Sequence, residues 1–143
     1  MTIAELVDIF EGHATTMTYP FFCGLKSHYN REKKITDIII LVPPKEWPLN
    51  WRADCSYDVE VEVWIGKMVN LRTDRQDEVY PLAEIRDTLN TDANTLIALL
   101  NTDDEVQVLT DDISASYWSP EEGATINTQE FVSFPLTLRV WSS

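Results

Sequence analysis

The sequence predicts an α+β domain in which a mainly antiparallel sheet carries helices packed on one face, and three observations lead there. The stretch "YDVEVEVWIG", residues 57 to 66, alternates with a period of two. Tyr57, Val59, Val61, Val63 and Ile65 fall on one face of a strand, and Asp58, Glu60, Glu62 and Trp64 fall on the other. Near the end, "EFVSFPLTLRVW" repeats the pattern, with Val132, Phe134, Leu136, Leu138 and Val140 sharing a face. Between them Leu82, Ile85, Leu89, Ala93, Leu96 and Leu100 keep a helical period. Strands and helices that come in groups build an α+β layer structure. With 143 residues and no linker, the expectation is one domain, 1–143.

The elements follow in order. Thr2 and Glu5 stand at capping-box spacing, and Ile3, Leu6, Val7 and Phe10 make one apolar stripe, so a short amphipathic helix opens the chain. Gly12 is the expected stop. "YPFFCGLKSHY" and "KITDIIILV" read as two strands of a hairpin joined by the basic turn "NREKK". Pro43 and Pro44 end the second strand because neither can donate to a ladder. "PPKEWPLNWRAD" has no period and reads as a loop carrying Trp47 and Trp51. After the alternating strand, the polar second half of "KMVNLRTDRQDE" is a loop, and Pro81 suits the first turn of the long helix. Asn90, Thr91 and Asp92 leave open whether that helix is one piece or two, with Thr91 or Asp92 recapping the second. "EVQVLTDDISASYWS" reads as one or two short strands and "SPEEGAT" as a turn. Pro135 sits on the polar face of the last strand, which implies an edge position or a bulge.

Composition narrows the function classes. The 44% hydrophobic share is that of an ordinary globular protein, and no apolar run approaches membrane-spanning length, so no membrane partner is expected. "MTIAELVDIFEG" lacks a basic start and is not read as a secretory signal. Cys23 and Cys55 suit a reducing compartment in which buried cysteine acts as a small apolar residue, with a disulfide between them left open. A net charge of −13 disfavours binding to a phosphate backbone, which requires Lys and Arg to neutralise it. The charge is uneven: Lys26, Arg31, Lys33 and Lys34 cluster early, and Asp103, Asp104, Glu105, Asp111 and Asp112 crowd a later stretch.

No motif for a reaction emerges. His13, Cys23, His28 and Cys55 show no metal-site spacing, so buried thiols and surface histidines are expected and no metal is assigned. Asp58, Glu60 and Glu62 stand on one strand face as a like-charge row, not as a carboxyl pair delivered from separate elements, so solvation is the plainer reading than acid–base catalysis. "NTDDEVQVLTDD" lacks the pattern and central glycine of a calcium loop. The glycines cannot form a phosphate loop, and no serine sits in a nucleophile elbow. No catalytic residue and no cofactor is assigned. Trp47 and Trp51 are the interaction candidates, a loop folded back onto the core being the equal alternative.

The order of elements resembles the tail-terminator and head–tail connector (neck) proteins of tailed bacteriophages. "TIAELVDIF", a hairpin, "YDVEVEVWIG", "VYPLAEIRDTLNTDANTLIALLN", "EVQVL", an acidic stretch and "TQEFVSFPLTLRVW" carry the likeness over nearly the whole chain. It is a likeness of pattern, since this family has no catalytic signature, and "PPKEWPLNW" and "LTDDISASYWSPEEG" have no counterpart in it. The resemblance implies a tail-terminator-like fold and a non-enzymatic ring subunit of the virion, assembled in the host cytoplasm. It would form hexameric or larger rings with itself and contact portal, connector and tail proteins. DNA would pass nearby without specific binding.

Within that expectation Asp58, Glu60 and Glu62, or Asp103, Asp104, Asp111 and Asp112, would face the channel or its rim, where carboxylates repel phosphates and let DNA slide. Trp47, Trp51 and the basic Lys26, Arg31, Lys33 and Lys34 would meet neighbouring subunits or partners. The alternative from a different class is an acidic DNA-mimic inhibitor of a nucleic-acid-processing enzyme, which the basic cluster argues against. An enzyme is a distant third and needs a pocket gathering His13 or His28 with a carboxylate.

Overall fold

Two 15-residue strands, β3 (Ser56–Asn70) and β6 (Asn127–Trp141), pair antiparallel along their whole length and form the spine of the protein. The computed structural model describes residues 1–26, 29, 36–50, 55–70, 82–109, 112–119 and 127–141. Around the spine stand β1 (Phe21–Cys23), β2 (Ile38–Val42), β4 (Val106–Val108) and β5 (Ser116–Trp118), in the order β1-β2-β3-β6, with β4 and β5 both on the far side of β6. Two helices, α1 (Ile3–Thr16) and α2 (Leu82–Leu100), cover one face. The expected α+β class is the observed one, with one parallel pair in an otherwise antiparallel sheet.

Both long strands place the predicted residues in the core. Val59, Val61, Val63 and Ile65 meet Val132, Phe134, Leu136, Leu138 and Val140 beneath Leu6, Phe10 and Ala14 of α1 and Leu89, Ala93, Leu96 and Leu100 of α2. β2 is buried on every residue, which is why "IIILV" shows no alternation. Ile39 and Leu41 enter the helix-side core, while Ile38 and Ile40 join a second, smaller cluster on the opposite face.

Three expectations about local structure are corrected. Thr2 does cap α1, its Oγ1 accepting from the Glu5 N–H, but the helix runs past Gly12 to Thr16. Gly12 is exposed and serves no turn; the ending belongs to Thr18 at φ 61, where Thr18 donates to the Thr15 carbonyl and Tyr19 to that of Ala14. That is the reciprocal pattern of a left-handed helix ending, with threonine where glycine is usual. Second, β1 and β2 do not form a hairpin. They pair in parallel, Phe21 with Ile39 and Cys23 with Leu41, because Gly24 (φ 153) turns the chain off the sheet and Tyr29 closes a helical turn back to the Leu25 carbonyl. Parallel neighbours require such a crossover. The proposed basic turn itself, 30–34, lies outside the described residues.

Third, both cysteines are exposed instead of buried, and they are not bonded to each other. Cys23 stands level with Val63 through Leu41, whereas Cys55 precedes β3 at its far end, roughly 25 Å away at ~3.3 Å per residue.

The open questions resolve simply. α2 is continuous through Asn90–Asp92, whose side chains are used laterally: the Tyr19 hydroxyl donates to Asp92 and the Tyr117 hydroxyl to Asn90 Oδ1 at 2.7 Å. Burial and the Asp92 carboxylate both push the Tyr19 phenol pKa well up. Pro135 does sit at an interruption. The Leu109 N–H donates to the Thr137 carbonyl, so alternate β6 residues, Pro135 included, turn their main chain toward β4 and β5. The β4 ladder ends at Val108 opposite Leu138 and the β5 ladder begins at Ser116 opposite Ser133, so Pro135 falls between the two and neither ladder asks it for a donor.

Candidate functional site

The face of the sheet turned away from the helices carries Lys26, Asp58, Glu60 and Glu62 of the residues singled out from sequence, and it is divided in two along the strands. At one end Gly66 lies directly across from Phe131. A Cβ at Gly66 would stand 2.4 Å from the Phe131 ring, so the glycine is needed for the ring to lie flat on the main chain. Trp64 and Trp118 meet Phe131 edge-on, at centroid distances of 6.0 and 5.6 Å, and Tyr29, Phe22, Ile38 and Ile40 complete the cluster. Gln129 ties this end down, donating to the Tyr29 hydroxyl at 2.7 Å and to the Thr36 carbonyl.

Lys26 closes the cluster. Its Nζ stands 4.3, 4.8 and 5.6 Å from the ring centres of Phe131, Trp118 and Trp64. Three ring faces around one ammonium form a cation–π box, worth about 0.5–2 kcal/mol. Burial lowers the Lys26 pKa, the cost of bringing a charge here. Lys26, expected to reach out to an acidic neighbour, is thus folded in against its own sheet. Arg31, Lys33 and Lys34 lie outside the described residues.

At the other end stand Asp58, Glu60 and Glu62, opposite Arg139, Thr137 and Pro135. The row is less uniform than its spacing implies. Asp58 is paired, its Oδ1 accepting from Arg139 Nε at 2.9 Å and its Oδ2 from Nη2 at 3.4 Å. Glu60 and Glu62 are exposed and have no ion-pair partner among the described residues. Two like charges two residues apart on a strand face repel, so at Glu60 and Glu62 the sheet is held by the pairing of β3 and β6 and not by these side chains.

The later acidic stretch does not form one surface. Asp103 is half-buried and shares a 2.5 Å hydrogen bond with His13 Nε2 at the end of α1, so His13 is a helix-docking residue and not the surface histidine expected. Asp104 and Asp112 are exposed, and Asp111 lies outside the described residues. Trp47 packs against the helix-side core, which favours the folded-back loop for it; Leu49 beside it is 93% exposed, and Trp51 lies outside the described residues. Among the described residues no three His, Cys, Asp or Glu side chains gather as metal ligands.

Sequence reasoning missed Phe131, Trp118, Tyr117 and Arg139 as site residues. The guanidinium of Arg86 stacks on Tyr117 at 4.8 Å and donates to Ser119 Oγ, which in turn donates to the buried Glu130. These contacts fasten β5 to α2. One signal was available: residues 113–119 carry no charged side chain in a chain that is 24% charged. No protein-family model matches the chain, and no curated protein matches it in sequence.

Proposed function

We propose that this protein is a non-enzymatic structural subunit of a tailed-phage virion, forming a ring at the head–tail junction around the DNA channel. The observation that carries the reading is the helix-free face of the sheet. Glu60 and Glu62 project from its central strand, exposed and without cationic partners among the described residues, beside an ion-paired Asp58. A channel that lets DNA slide needs a rigid lining that repels phosphates and offers no lysine or arginine to hold them. In this reading the acid end of the face is turned to the channel or its rim, and the helices face the neighbouring shell. The resemblance in element order supports the same assignment, apart from its hairpin, which is a parallel β1–β2 pair in this chain.

The DNA-mimic reading uses the same charge differently and requires carboxylates spread along one open surface. Asp58 and Asp103 are instead engaged by Arg139 and His13, which weighs against it. The test is the mass of the purified protein in solution, alone and mixed with virion head–tail components. A closed ring, alone or on mixing, is expected. A chain that stays monomeric, ignores those components and captures a DNA-processing enzyme overturns the ring in favour of the mimic.

A further inference from the structure

We infer that copies of this chain join edge to edge, β5 of one against β1 of the next, so that the sheet continues across the seam. This deepens the ring reading and rests on its premise of self-assembly. The sheet ends in two strands whose outer main-chain groups meet no partner among the described residues. At β1, Ile39 donates to the Pro20 carbonyl and Gly24 to that of Leu41, so the alternate residues, Phe21 and Cys23, turn their N–H and C=O outward. At β5, Ser116 and Trp118 take the same alternation as Ser133 and Phe131, which face them, and Tyr117 turns its main chain outward. All three β5 residues are exposed.

The neighbouring edge strand is treated differently. The outward N–H of Val108 in β4 is taken by the side chain of Asn101 at 2.9 Å, which blocks that stretch against pairing. Among the described residues β5 has no such cover, and its three residues carry no charge. Natural edges are guarded by charged residues, prolines or covering loops, yet residues 113–119 and 14–25 carry no Asp, Glu, Lys or Arg at all. In a chain of net charge −13, these are the stretches that a second copy can approach without like-charge repulsion.

Direction and facing agree. Following the pairings across the sheet, β5 runs opposite to β1. Rotation about an axis along the strands therefore brings them together antiparallel, the stronger arrangement, and keeps the helices of every copy on one side of the wall. Cys23, level with Leu41, and Tyr117, level with Val132, then share the helix-side face of the seam.

The test uses the full-length chain. In Cys55→Ser/Tyr117→Cys, mild oxidation should link the native Cys23 of one copy to the new thiol at position 117 of the next, giving a ladder of linked species that Cys23→Ser abolishes. In parallel, Tyr117→Pro, which removes an N–H that the β5–β6 ladder does not use, should weaken self-association by at least about tenfold, as loss of ~1.4 kcal/mol implies. Tyr117→Phe should assemble as the unaltered chain does. Assembly without the cross-link, and undiminished in Tyr117→Pro, overturns the seam while leaving the ring reading standing. A chain that remains monomeric at every concentration, alone and with virion head–tail components, overturns both.

Discussion

The two ends of the helix-free sheet face are built from the same pair of strands and yet are held by opposite means. At the aromatic end, side chains interlock: Phe131 lies on Gly66, Trp64 and Trp118 flank it, and Lys26 closes the box. At the acidic end, Glu60 and Glu62 reach into water, and the Asp58–Arg139 pair is about a third exposed. The first end contributes stability; the second leans on the core behind it and is free to carry charge for another purpose. A sheet face can divide in this way because neighbouring pairs on one face interact only locally.

The sharpest way to break the comparison is Phe131→Ala. The ring is 1% exposed, and truncating a fully buried aromatic costs about 3–5 kcal/mol. Urea unfolding should show that loss, and a cost below ~1 kcal/mol would mean that the aromatic end is not a core. Gly66→Ala comes next, at about 1–3 kcal/mol, because the added methyl forces the Phe131 ring off the sheet. Combining the two should restore part of that cost, since the clash disappears with the ring.

Effects at the acidic end should be smaller. Arg139→Ala should cost at most about 1 kcal/mol, the worth of a partly exposed pair, and the difference from the unaltered chain should shrink in high salt. Smallest is the double change Glu60→Gln/Glu62→Gln, expected to lie within about 0.5 kcal/mol of the starting protein, on the stabilising side at low salt as repulsion is relieved. A loss larger than Arg139→Ala would show that these carboxylates hold the fold, and the division of the face would not stand.

The candidate site was legible only in part. The acid row was readable because a strand's period of two assigns faces without reference to any other element. Which acids remained unengaged was not, because Arg139 stands 81 residues from Asp58 and His13 stands 90 from Asp103. The aromatic box drew on Lys26, Trp64, Trp118 and Phe131, four separate stretches of chain, and no local pattern joins them. The edges were hidden for a similar reason: an uncharged run becomes an open edge only once strand order is known.

By itself, the sequence determined the α+β class, both long strands with their inward faces, the Thr2 cap and the helical period from Leu82 to Leu100. Each of these follows from alternation, spacing or capping within one element. The tertiary structure alone decided that β1 runs parallel to β2, that α1 runs past Gly12 to Thr16, and that β4 and β5 form two edges, one covered and, among the described residues, one open. Those outcomes depend on which distant residues compete for the same main-chain groups and the same buried space. Propensity and period are local quantities, and they are silent about that competition.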